Sequence, residues 1–274
     1  MKTVKNNILN FIKFFYKHLN FLFPELISFF KNGFNVKRFL AYKDFWVNYL
    51  QYNSLNKDEK FKANISSSIP MTIEKYSQAG SINKHYSLQD LWAAKKVYES
   101  KVEKHYDIGS RVDGFIFHCL VFTKVVMLDI RPLEISVKNL EFIKTNAMNL
   151  SNIASNSISS ISSLHAIEHF GLGRYGDPID PEGYKKVINE IKRVVKRGGN
   201  VYISVPIGSQ RVEFDAHRVF DPLTISELFC NDDQFRLIEF SYIDDNENLI
   251  INGEIKNARK CIFGCGLFHF RKIY

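Results

Sequence analysis

Apolar and polar positions change period several times along this chain, and each change marks an element. Ile8, Phe11, Ile12, Phe15, Leu19, Leu22, Phe23, Leu26, Phe29 and Phe30 recur every three or four positions. That spacing predicts a helical apolar stripe. Lys13, Lys17, His18 and Glu25 interrupt it and Pro24 breaks or kinks it, so it falls short of the roughly 20 predominantly apolar residues of a spanning helix. It also lacks the uninterrupted apolar core and small-residue cleavage site of a signal peptide. Two surfaces suit such a stripe: a membrane interface, contacted through residues 8–30, or a protein face. Residues 34–85 are polar and mixed, with Phe45, Trp46, Tyr49 and Tyr52 as anchors and a Ser-rich loop over 64–70. The expected organisation is an N-terminal amphipathic helical extension over 1–85 and an α/β domain over 86–274.

The domain begins with a helix from Ser87 to about Lys101. Ser87 is the expected cap, Asp90 offers its carboxylate to the first turn, and Leu91, Ala94, Val97 and Tyr98 form the inner stripe. This helix should cover a sheet edge or a ligand crevice. Lys104 to Asp129 then reads as strand, Gly-bearing turn, helix and strand, with a carboxylate at the tip of the second strand. Asp129 follows Gly109 by 20 residues (129 − 109), the spacing of a carboxylate that hydrogen-bonds a ribose. Leu140–Ile143 and Ser157–Leu164 are further strands, the second a central one. A helix over Pro181–Arg197 is stopped by Gly198-Gly199, and a buried strand over Val201–Val205 is ended by Pro206. A helix over Pro222–Phe229 and strands over Phe235–Tyr242 and Ile262–Phe270 close the chain. The alternation predicts a Rossmann-like α/β fold, a mostly parallel sheet with an antiparallel edge hairpin.

The formal charge of +8 suits an anionic surface or ligand, and equally a solvated basic face. No nucleic-acid motif accompanies it, so nucleic acid is not an expected partner. Cys119, Cys230, Cys261 and Cys265 form no disulfide framework, which favours the cytosol, peripheral to a membrane if the N-terminal stripe lies there. Cys261 and Cys265 alone are too few for a zinc site.

Polar density is high in two stretches that follow strands. One holds His165, Glu168, His169, Arg174, Asp177 and Asp180. The other holds Arg211, Glu213, Asp215, His217 and Arg218. Loops after strands form the ligand crevice of open α/β sheets, so both stretches should converge on one mouth. The HAIEH run matches an inverted zinc-protease motif, but that motif needs a helix, and here a Gly-rich loop follows at once. Glu168, His169, Asp177 or Asp180 suit a hard divalent cation better. The architectural reading is that Asp177 and Asp180 cap the turn and helix at Pro181, while Arg174 and Arg218 pair with Asp177 and Glu213.

The order of motifs resembles that of class I S-adenosylmethionine-dependent methyltransferases over residues 85–245. The matching residues are Asp107-Ile108-Gly109, Asp129, Leu164–His169, and Val194–Gly199 followed by Val201–Pro206. More narrowly, Asp107–Gly114, Leu164–Gly183 and Val205–Pro222 are similar to the domain-of-unknown-function family numbered 268. The resemblance implies S-adenosylmethionine as cofactor, held by Asp107, Gly109, Arg111, Asp129 and Asn146. Arg111 stands where those enzymes carry a second glycine; it folds away, pairs with Asp113 or reaches the cofactor carboxylate. No metal is implied. The resemblance further implies transfer to a hydroxyl of a polar or anionic acceptor, a small molecule or glycan, in surface-polysaccharide biosynthesis. His169 or His217 would take the proton, with Glu168 orienting, and Arg174, Asp177, Asp180, Glu213 and Arg218 would hold the acceptor. Two alternatives stay open: a diverged binding or scaffold protein, and a metal-assisted carbohydrate-active enzyme using the loop from His165 to Asp180.

Overall fold

The computed structural model describes residues 36–69, 71, 79 and 82–274. The apolar stripe over 8–30, with both of its candidate surfaces, lies outside them. The chain divides between Ser81 and Ile82 into two units. Among the described residues, no helix is long and apolar enough to cross a membrane.

In the first unit, helix α1 (Val36–Leu55) is followed by 3-10 turns over Glu59–Phe61 and Ile65–Ser67, capped by the side chains of Asp58 and Asn64. The expected Ser-rich loop thus contains a short ordered turn. Tyr49 and Tyr52 donate to the carbonyls of Ala63 (3.1 Å) and Phe61 (2.8 Å), and Asn53 bonds both backbone groups of Ala63. The aromatic residues therefore fasten the returning segment to the helix.

The second unit runs α2 (Lys84–Ser100), β1 (Lys104–Ile108), a π-turn (Val112–Ile116) continuing into α3 (Phe117–Leu120), β2 (Lys124–Asp129), β3 (Leu140–Lys144) and β4 (Ile158–Leu164). It continues through α4 (Gly183–Val194), β5 (Val195–Ile207), β6 (Arg211–Glu213), β7 (His217–Val219), α5 (Pro222–Cys230), β8 (Phe235–Ile243), β9 (Leu249–Ile250), α6 (Ile255–Ala258) and β10 (Gly264–Lys272). The main sheet has the order β3-β2-β1-β4-β5-β10-β8-β9. Strands β1 to β5 pair in parallel, and β10, β8 and β9 add antiparallel. This is the Rossmann-like sheet with an antiparallel edge that the alternation predicts. The chain reverses direction in the sheet beside β1 and β4, so a crevice opens at their carboxyl ends.

Each face of the sheet carries its own apolar layer. Val187, Ile188, Ile191 and Val194 of α4 pack with Ile225 and Phe229 of α5 on one side, and Trp92, Ala93 and Val97 of α2 pack with Phe115 and Ile116 on the other. Four local expectations change, the first being that the helix expected over 181–197 ends at Val194, with Gly198-Gly199 inside β5. Asn83, not Ser87, caps α2, accepting from the Tyr86 amide (3.4 Å). Asp90 lies too far into the helix to serve the first turn; it is buried, and that burial raises its pKa. Pro206 does not end its strand. β5 continues to Ile207 because the Pro206 backbone faces Phe220, whose amide donates to the Pro206 carbonyl (2.9 Å), so the missing donor interrupts no ladder with β10.

Candidate functional site

A cavity of about 640 Å³ opens where β1, β2, β4 and β5 end. Its floor begins at Gly109, whose backbone has φ +70°. A Cβ there would lie 3.1 Å from the Ala166 Cβ, so both the left-handed conformation and the close approach call for glycine. Asp107 holds this turn from beneath. It accepts from the Ser110 amide (2.9 Å) and hydroxyl (2.6 Å) and from the Ser162 hydroxyl. Burial pushes its carboxyl up to about 6, against these hydrogen bonds. His105, also wholly buried, bonds Ser160 (2.7 Å) and Ser162 (2.9 Å), and burial lowers its pKa to about 3.

Across the cavity, the 3-10 turn Ile167–His169 and the hairpin of β6 and β7 supply the titratable groups. His169 Nδ1 lies 2.8 Å from the Ala216 carbonyl. A carbonyl only accepts, so Nδ1 carries the proton and Nε2 keeps its lone pair. The nearest carboxylate oxygen, Glu168 Oε1, is 3.7 Å from that Nε2, beyond hydrogen-bond reach. Burial lowers the His169 pKa. His165 has φ +49° and its Nδ1 lies 2.9 Å from Glu168 Oε1. Burial opposes its protonation, but Cys265 and Glu168 outweigh it and raise its pKa well above the ordinary value.

Among the described residues, three buried side-chain atoms have no hydrogen-bond partner: His165 Nε2, Glu168 Oε2 and His217 Nε2. His217 Nε2 comes within 3.1 Å of Glu213 Oε2 without the alignment of a hydrogen bond. All three residues line this one cavity. Buried polar atoms are seldom left unpaired, and where they are, a ligand or water is the usual reason.

The residues expected to act divide in two. Glu168, His169, His217, Gly109, Arg111, Asp129, Arg174 and Asp177 line the cavity. Arg111 pairs with Asp113 and lies over the Tyr86 ring at 5.1 Å. Asp177 reaches the cavity wall, but its carboxylate accepts from the amides of Gly171 (2.7 Å) and Tyr175 (3.3 Å) and so shapes the loop. The others require correction. Asp107 has no exposed surface to offer a cofactor. Asn146 turns its amide oxygen to the Met148 amide (3.0 Å) and stands outside the lining. Asp180 pairs with Lys186 and caps the chain at Glu182. Glu213, away from the lining, pairs with Arg211 (2.8 Å) and faces His217. Arg218 is buried and donates to the carbonyls of Glu168, Phe170 and Pro181; it braces the loop from behind. Among the described residues no three His, Cys, Asp or Glu side chains converge as a metal site, and Asp177 and Asp180 are turned to backbone and lysine.

A family model described as "Caenorhabditis protein of unknown function, DUF268" matches residues 124–260, half of the 274-residue chain. The chain belongs to the DUF268 family. The matched segment includes both polar stretches of the cavity. No curated protein matches the sequence. Among solved structures, the [4+2]-cyclase SpnF is similar at 13% identity and a TM-score of 0.50, covering 68% of this chain and 80% of its own. The Burkholderia thailandensis 1,6-didemethyltoxoflavin-N1-methyltransferase, solved with S-adenosylhomocysteine, is 12% identical with a TM-score of 0.47 over 69% of this chain and 80% of its own. The N-methyltransferase NodS from Bradyrhizobium japonicum, also solved with S-adenosylhomocysteine, is 11% identical with a TM-score of 0.47 over 82% and 97%. At 13% identity and a TM-score of 0.50, the likeness to SpnF shows the fold alone and leaves the reaction to the site.

Several lining residues of the DUF268 chain escape sequence reasoning. Tyr86 and Gln89 face the cavity from α2; the expectation that this helix covers the crevice holds the only hint of them. Phe263 lies far along the chain, placed between His85 (6.2 Å between centroids) and His217 (5.3 Å) by Asp245, which accepts from the Ile262 and Phe263 amides. Arg131 and Tyr175 complete the rim.

Proposed function

We propose that this protein is an S-adenosylmethionine-dependent methyltransferase acting on a hydroxyl of a polar, anionic acceptor. One observation carries the reading. The unpartnered buried atoms of His165, Glu168 and His217, and the fixed tautomer of His169, meet in one cavity at the carboxyl ends of the parallel strands. The residues present suit the cofactor: Gly109 leaves the turn open to a close ligand, Asp129 stands at the tip of β2, and about 640 Å³ accommodates a nucleoside-sized molecule. Bound S-adenosylmethionine would supply an electrophilic methyl group.

The chain's own residues do the rest. His169 accepts the acceptor's proton at Nε2, which its Nδ1 contact with Ala216 keeps unprotonated. Burial, by lowering its pKa, keeps the ring neutral at pH 7. Glu168 offers Oε2 as a hydrogen-bond acceptor to a neighbouring hydroxyl of the acceptor and so orients the reacting one. Arg174, with no carboxylate partner among the described residues, donates to the Ala216 carbonyl (2.7 Å) and presents its remaining donors to an anionic group. Tyr86 and Phe263 wall the site against water. A sugar nucleotide or lipid-linked glycan of surface-polysaccharide synthesis has the required chemistry.

A binding protein on the same fold is the second reading, favoured by one observation: Asp129 is already paired with Arg131. Incubation of wild-type and His169→Asn proteins with methyl-labelled S-adenosylmethionine and a panel of sugar nucleotides separates the two. Label in an acceptor, lost in the variant while cofactor affinity stays within twofold, is the expected result. Transfer undiminished in the variant would remove His169 from the reaction.

A further inference from the structure

Arg131 stands two residues beyond Asp129, the carboxylate that ends β2. Its backbone amide (2.8 Å) and Nε (3.0 Å) donate to Asp129 Oδ1, and its Nη2 (2.7 Å) donates to Oδ2. A carboxylate has about four lone-pair positions. Three are filled, so one is left, whereas two neighbouring ribose hydroxyls gripped as a pair need two. The Asp129 side chain is 12% exposed and that of Arg131 48%, so the guanidinium is the partner free to move.

Where Arg131 rests is equally informative. Its guanidinium lies 4.3 Å from the centroid of Tyr175, whose ring also carries the Arg174 guanidinium at 5.2 Å. The Tyr175 ring meets His169 edge-on at 5.4 Å. The three side chains therefore connect the carboxylate end of the cavity to its histidine end. Arg111, the other arginine near the turn, is engaged by Asp113.

We infer that Arg131 is a specificity-determining residue: it must release Asp129 before a diol-bearing nucleoside is held, and once released it joins Arg174 as a second cation for an anionic group on the acceptor. This rests on the nucleoside-binding reading given above. A neutral nucleoside competes with Arg131 on its own. An anion that engages the displaced guanidinium offsets the lost ion pair, so nucleoside and anion bind better together than apart.

The test is calorimetric titration of the full chain with S-adenosylhomocysteine, with and without pyrophosphate as an anionic probe. Wild type, Arg131→Ala and Arg131→Gln are compared, the glutamine keeping part of the stem over Tyr175. Both variants are expected to bind S-adenosylhomocysteine about fivefold more tightly, as loss of a partly exposed competing ion pair allows. Pyrophosphate is expected to tighten binding to wild type and to leave both variants unchanged. Equal or weaker binding by the variants, or pyrophosphate acting alike on all three, overturns the role of Arg131 and leaves the nucleoside reading intact. No binding by any of the three, each shown folded by circular dichroism, overturns both.

Discussion

Replacing His105 by Gln should flatten the acid sensitivity of this protein, and the size of the effect follows from burial. His105 is wholly buried, bonded through both ring nitrogens to Ser160 and Ser162, and stays neutral down to about pH 3. In the unfolded chain an ordinary histidine takes up its proton near 6.5. Protons therefore favour unfolding: the contribution of His105 is complete above about pH 6.5 and is lost as pH falls through the window to about 3. At about 1.4 kcal/mol per pH unit, the full loss is about 5 kcal/mol, and by about pH 5 it is about 2 kcal/mol. Gln can still bond the serines but cannot titrate. Asp107 works in the opposite sense. Its carboxyl, held up at about 6, contributes fully below the ordinary value near 3.8 and loses that contribution as pH rises through 6. Both proteins carry Asp107, so it drops out of their difference. Urea unfolding measured at steps from about pH 7.5 to about pH 5 should show the gap between wild type and His105→Gln narrowing by about 2 kcal/mol. A gap that stays constant across that range would refute the buried neutral imidazole.

Two further outcomes follow from the site. Arg218→Ala should cost about 2 to 3 kcal/mol in urea unfolding, because three carbonyls behind the loop lose their donor, whereas Arg174→Ala at the exposed rim should cost less than about 0.5 kcal/mol; equal costs would place the two arginines alike. In a histidine-resolved NMR titration His169 should titrate below the ordinary value of about 6.5 and His165 well above it, and the reverse order would contradict the proton assignments made from Ala216 and Glu168.

The sheet was readable in the sequence because strand and helix periods alternate, although neither Gly198-Gly199 nor Pro206 ends an element, and the two polar stretches were readable as cavity walls because both follow strands. What the sequence hid is pairing across strands. His105 and Asp107 lie on one face of β1 and Ser160 and Ser162 on one face of β4, yet only the register that sets Asp107 beside Ser162 makes them a buried network. A lone acidic residue before a glycine gives no sign that its carboxylate points beneath the turn. Arg218 resembles Arg174 in sequence, each with an acidic residue, Glu213 or Asp177, within five positions as its expected partner, and its burial against three carbonyls depends on the fold of the Gly171–Asp180 loop. Asn83 and Ser87 are both able caps, and four residues, one helical turn, separate the choice. Arg131 was within reach: a carboxylate with arginine two residues on can close a ring through its own backbone amide.

The central claim is that the cavity between Gly109 and Asp129 holds the nucleoside of S-adenosylmethionine. Calorimetric titration of the wild-type chain with S-adenosylmethionine and S-adenosylhomocysteine, beside Asp129→Ala, tests it most directly. The account predicts micromolar binding of both by wild type and loss of both in the variant. Absence of heat with a folded wild-type protein, or undiminished binding by Asp129→Ala, would contradict it.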